Sequence, residues 1–134
     1  PLHPGRYADM LGERIATHQT KVWLVNTGWT GGPHGVGSRM SLKNTRSLLN
    51  AVLNGSMDSV DYRRCERFGW EVPLQAPGVD AGLLNPRSTW ADGQAFDEQA
   101  DDLANRFNEN FAGFASGVSD DVLAATPKVL MVVN

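Results

Sequence analysis

The chain has 134 residues, 41% of them hydrophobic and 20% charged, a length and composition that suit one globular domain with a modest core. Its net charge of −3 excludes a broad electrostatic footprint for nucleic acid or an anionic membrane, so any anion site must be built locally. Cys65 is the single cysteine, which excludes an internal disulfide and a cysteine metal cluster and fits a reducing cytoplasm. The apolar runs at 22–25 and 129–133 are far too short to span a bilayer. No signal-like segment opens the chain and residue 1 is Pro rather than Met, so the expectation is a chain that starts inside something longer.

Residues 3–19, "HPGRYADMLGERIATHQ", predict a helix, with Tyr7, Leu11 and Ile15 recurring every fourth position and Pro4 near the start. "KVWLVN" at 21–26 predicts a short strand buried on both faces. A glycine loop follows over 27–38, and residues 39–42 predict an extended piece with Met40 and Leu42 on one face. Asn44 suits an N-cap, and "TRSLLNAVLNG" predicts a helix that turns Leu48, Leu49, Val52 and Leu53 inward and stops at Gly55. Between 56 and 91, "VDYRRCERFGWEVP" has room for a strand and "APGVDAGLLNPRSTW" is rich in turn signals. From 93 the stripe Phe96, Ala100, Leu103, Phe107, Phe111, Phe114 predicts an amphipathic helix packed by its aromatic face. Ser119-Asp120-Asp121 opens a last short helix, the acids suiting its positive end. The order is α/β, but two clear strands are too few to cover these helices, so the sheet is expected to be incomplete within the chain.

The loop "NTGWTGGPHGVGSRMSLKNTR" at 26–46 invites a phosphate reading, because glycines let backbone N–H groups come close to an anion. Gly32 and Gly37 have the separation of a P-loop, but Ser38 and Arg39 stand where Lys and Ser/Thr are needed. Gly35 and Gly37 begin a dinucleotide fingerprint that Met40 breaks. Trp29 is a large anchor in a bare loop, Arg39 offers a planar guanidinium, and Thr45 adds a hydroxyl at a helix start. Together these suit a base pocket better than a phosphate cradle.

The run "LVNTGWTGGPHGVGSRMSLKNTRSLLNAVLNGSMD" resembles the C-terminal part of the ATP-dependent phosphoenolpyruvate carboxykinases. "HPGRYADMLGERI" before it and "PGVDAGLLNPRSTW" after it match in order, so the likeness covers about residues 3–128; the tail "VLMVVN" is unmatched. The resemblance implies a mononucleotide-binding, kinase-like α/β domain of that family's type, with residues 1–134 as its C-terminal portion. It implies an enzyme that converts oxaloacetate and ATP to phosphoenolpyruvate, ADP and CO₂ with Mg²⁺ and Mn²⁺. Carried over residue by residue, Arg39, Met40 and Thr45 hold the adenine end of ATP. The family's phosphate loop, metal ligands and substrate arginines precede the matching segment. No catalytic or metal-binding residue is therefore expected in this chain, and its partners are ATP, oxaloacetate and the upstream part of the same enzyme, with no nucleic acid and no membrane. A stand-alone nucleotide-binding or interaction module without catalysis is the alternative.

The remaining polar clusters read blandly. His3, His18 and His34 share no ligand spacing. Glu98 and Asp101 lie one turn apart and offer oxygen ligands to Ca²⁺, against the simpler expectation of a solvated face. Arg63, Arg64 and Arg67 form a small basic patch, expected to pair with nearby acids, and Lys43 and Arg46 flank the base pocket.

Overall fold

A computed structural model describes residues 2–130. Its contacts divide the chain into two units, one made of the residues up to Trp23, Glu66–Gly69 and those from Ala100 onward, the other of Leu24–Cys65 and Trp70–Gln99. The architecture is mixed, with five α-helices and two antiparallel two-stranded ladders among the described residues.

The second unit carries both ladders. Strands β1 (Trp29–Thr30) and β2 (Ser38–Arg39) close the glycine loop into a hairpin. Helix α2 (Leu42–Leu53) follows, and Gly55 ends it at φ 77°, the left-handed conformation expected of a residue just past a helix. Strands β3 (Tyr62–Arg64) and β4 (Glu71–Pro73) form the second hairpin, with Arg63 opposite Val72. Met57, Ala51 and Ala76 are buried here, and the Tyr62 hydroxyl donates to the Met57 carbonyl at 2.6 Å. Helix α3 (Pro86–Thr89) precedes Asp92, whose carboxylate accepts from the N–H groups of Gln94 and Ala95 and so caps α4 (Gly93–Ala112).

The other unit takes helix α1 (Pro4–His18), the later part of α4 and α5 (Asp120–Ala124). Gly5 is buried, and a Cβ there would run into the Gly117 carbonyl, so the contact has no room for a side chain. Ala100 and Ala104 are the buried members of α4, and Phe68 meets Phe107 edge to face at 6.4 Å. Arg67, only 9% exposed, places its Nε 2.6 Å from Oδ1 of Asp101. The same carboxylate oxygen accepts from the Leu130 N–H, and the Arg67 carbonyl accepts from the Lys128 N–H. One ion pair thus fastens the stretch 128–130.

Four expectations from the sequence need correction. Residues 21–26 form no strand; Val22 and Leu24 are 64% and 76% exposed, because a strand requires a neighbour and none is built against this segment among the described residues. The N-cap of α2 is Ser41, not Asn44: the Ser41 hydroxyl accepts from the Asn44 N–H at 3.2 Å, and the helix takes in Leu42 from the piece read as extended. The inward set of α2 is also different, since Ala51 is buried while Leu53 is 83% exposed. The aromatic stripe of α4 holds only in part, with Phe96 and Phe111 half-buried and Leu103 and Phe107 exposed.

The Arg67 hydrogen bond holds the Asp101 carboxyl below its ordinary 3.8; burial opposes this, and the Leu130 N–H and the Arg67 charge reinforce it. A lowered folded-state pKa gives stability that is present above pH 3.8 and is lost as pH falls through the folded value. Asp101→Asn removes the carboxylate charge beside a buried guanidinium and is expected to cost roughly 1–3 kcal/mol in urea unfolding at neutral pH. The gap between variant and parent should close in acid below the folded pKa; a gap that stays constant there contradicts the ion-pair account.

Candidate functional site

The 28–40 hairpin is short, and its register decides which side chains share a face. Trp29 lies opposite Arg39, and Thr30 opposite Ser38. The Met40 N–H bonds to the Gly28 carbonyl at 2.9 Å, which makes Trp29 and Arg39 a non-hydrogen-bonded pair, the kind whose side chains stand closer together. Trp29 remains 43% exposed and meets His34 edge to face at 4.8 Å. Arg39 is exposed and Met40 half-buried.

Four backbone amides of this loop, those of Gly28, Gly31, Val36 and Gly37, are engaged within it or close by. Gly28 N–H donates to Asn26 Oδ1, and Val36 and Gly37 N–H both donate to the Pro33 carbonyl. Gly31 N–H donates to Thr89 Oγ1 at 3.1 Å. Gly31 and Gly35 make this turning possible at φ 77° and 90°. At Gly37 the requirement is space, since a Cβ would sit 2.5 Å from the Thr30 carbonyl oxygen and 2.6 Å from that of Gly32.

Thr45 lies one turn into α2. Its hydroxyl donates to the Ser41 carbonyl at 3.2 Å, which leaves its oxygen lone pairs as acceptors. The Met40 N–H is likewise taken, so its carbonyl is the backbone group it can offer. Arg39 and Met40 at the end of β2, with Thr45 past the Ser41 cap, therefore present one planar cation and two acceptors. Ser41 and Thr89 were not among the residues singled out from the sequence. Ser41 had a local signal, a serine just before a helical pattern; Thr89 had none, being 58 residues from the amide it holds.

The other candidates are placed without a site around them. Asp101 is bound to Arg67, while Glu98 accepts from the Gln94 amide at 3.0 Å. His3 accepts from the Gly5 N–H, and Arg63 donates to Asn85 Oδ1. Among the described residues no group of three or more His, Cys, Asp or Glu is placed to hold a metal ion. A cleft of about 450 Å³ lies between Ser56, Ser59, Val60 and Gln75, Ala76, Pro77, with no ionisable side chain in its wall.

A glycine-rich hairpin leading into a capped helix is the class of structure that residues 26–55 define. The phosphoenolpyruvate carboxykinase family model matches residues 1–82. The chain is 59% identical to the phosphoenolpyruvate carboxykinase (ATP) of Thermus thermophilus over 96% of its own length and 24% of that protein. It is 53% identical to the enzyme of the same name from Parvibaculum lavamentivorans, over 93% of the chain and 23% of the relative. Against that of Brucella suis the identity is 48%, over 98% and 24%. The chain belongs to the ATP-dependent phosphoenolpyruvate carboxykinase family and spans about a quarter of the length of these relatives.

The two kinds of glycine should respond oppositely to alanine. Gly37→Ala must push apart the backbone of the hairpin, so faster hydrogen exchange at Thr30 and Ser38 is expected. Gly12, inside α1 with nothing within 4 Å of an added Cβ, is expected to gain about 1 kcal/mol in thermal unfolding as Gly12→Ala. Unchanged exchange in Gly37→Ala would contradict the close-packed hairpin.

Proposed function

We propose that this chain is the C-terminal portion of the nucleotide-binding catalytic domain of an ATP-dependent phosphoenolpyruvate carboxykinase, and that it supplies the adenine pocket. The parent reaction is oxaloacetate and ATP to phosphoenolpyruvate, ADP and CO₂, a carboxy-lyase step of gluconeogenesis in the cytoplasm. The observation that carries the site assignment is the inward engagement of the loop amides at Gly28, Gly31, Val36 and Gly37. The amides at these four positions are taken and so withheld from a phosphate, and we read the exposed side chains of the loop as what meets the ligand.

On this reading Arg39 borders or stacks on the base, a use suited to a planar, weakly hydrated cation. Met40 gives apolar cover and its carbonyl, and Thr45 gives its hydroxyl oxygen, both acceptors. Two acceptors suit the exocyclic amine of adenine and oppose the carbonyl of guanine, which supports ATP over GTP. Met40 is read here as offering its carbonyl because its N–H is engaged with Gly28.

The described residues fit the base end of ATP and do not fit its metal ions. Mg²⁺ and Mn²⁺, which offset charge on the transferring phosphoryl group when bound, would be held by the upstream part of the enzyme, as would oxaloacetate. The exposed apolar residues Val22 and Leu24 support an upstream partner of the same enzyme covering this segment. No helix among the described residues is long and apolar enough to cross a membrane. The chain alone is expected to catalyse nothing.

In the complete enzyme, Arg39→Ala is expected to raise the KM for ATP about tenfold while leaving that for oxaloacetate within twofold. Steady-state kinetics with each substrate varied separately reads the difference. An equal rise in both would sink the assignment.

A further inference from the structure

The hydroxyl of Thr89 is an unusual feature of the second unit because all of its hydrogen-bonding capacity is engaged. It donates its single proton to the Pro86 carbonyl at 2.7 Å. Its two lone pairs face the Gly31 N–H at 3.1 Å and the Thr30 hydroxyl at 3.4 Å. A hydroxyl has one proton to give and two lone pairs to receive, so nothing is left over. The two donors come from the tip side of the hairpin that carries Arg39, and the acceptor from the start of α3, far away in the chain.

The approach is close on both sides. Gly31 stands at φ 77°, and a Cβ there would lie 3.5 Å from the Thr89 carbonyl oxygen. Thr30 pairs with Ser38, the residue next to Arg39. Any shift of Thr89 is thus passed through a two-residue ladder to the guanidinium at the base site. A two-residue ladder has too few bonds of its own to hold a fixed angle, so an outside anchor is needed.

We infer that Thr89 is a positioning residue for nucleotide binding: it latches the 28–40 hairpin to α3, of which it is the last residue, and thereby sets where Arg39 meets the base. This rests on the adenine-pocket reading above. Thr89 itself touches no nucleotide in this account. Its methyl-bearing shape is kept by valine and its hydroxyl by serine, so the two substitutions separate packing from hydrogen bonding.

The test is made in the complete enzyme, with ATP and oxaloacetate varied in turn, on Thr89→Val, Thr89→Ser and Arg39→Ala. Thr89→Val is expected to raise the KM for ATP about tenfold, with the KM for oxaloacetate and kcat within twofold. Thr89→Ser should stay within twofold of the parent in all three. If Thr89→Val leaves the KM for ATP unchanged while Arg39→Ala raises it, the latch is wrong and the pocket stands. If neither variant moves it, the pocket reading fails and the latch with it. A rise for both substrates, or no rescue by serine, reduces Thr89 to a general structural role and overturns the proposal. Should Thr89→Val not fold, Thr30→Val removes only the weaker arm and must show the same ATP-selective shift in smaller size, or the latch is rejected.

Discussion

Every backbone N–H that is turned away from water must find an acceptor, and in the 28–40 hairpin that requirement organises everything around it. Asn26, Gly28, Pro33 and Thr89 supply the acceptors. Glycine makes the necessary turns, and Gly37 also gives room where two carbonyl oxygens crowd in. The result is a loop whose chemistry lies in its side chains. The same glycine content that first invites a phosphate reading is here a means of folding the backbone onto itself. The proposed base-lining role of Arg39, Met40 and Thr45 depends on this point, because it requires the hairpin leading to the first two to hold one geometry.

The sequence was legible where structure is local. The helix over 3–19, the long helix from 93, the glycine stop at 55 and the helix after Ser119 all follow from periodicity and cap chemistry over a few residues. Ser41 shows the limit of that approach. Ser41 and Asn44 both suit a cap, and the outcome turned on Ser41 reaching the Asn44 N–H, a distance and not a preference. The apolar run at 21–26 failed for the opposite reason. Its composition is that of a strand, but strand formation depends on a neighbour that composition cannot supply. Thr89 was invisible because it contributes through one oxygen atom to residues nearly sixty positions earlier. At the proposed site, Arg39 and Thr45 stand out in the sequence as a planar cation and a hydroxyl, and the family resemblance assigns them, with Met40, to the adenine end of ATP. The hydrogen bonds that take up the Met40 N–H and the Thr45 proton were not readable in any pattern.

The buried side chains give a second constraint. Alanines dominate the buried apolar set, with Met57 the one large member among the described residues, so little of the stability comes from bulky interdigitation. Specific polar fastenings take a larger share. Arg67 with Asp101, Asp92 at the start of α4 and Tyr62 on the Met57 carbonyl each join a charged or hydroxyl group to a backbone or side-chain partner. Such fastenings are directional, and they hold a segment in one geometry better than they resist unfolding.

The apolar run from Val22 to Val25, exposed at Val22, Leu24 and Val25, has a practical side. It is a short β-prone stretch without charge or proline, bounded by Lys21 and Asn26. When it is uncovered, it offers a template on which a second molecule can add its own strand. Handled in isolation, the polypeptide is therefore expected to self-associate with rising concentration through these residues. A charged replacement at Leu24, 76% exposed, would act as a gatekeeper that keeps preparations monodisperse.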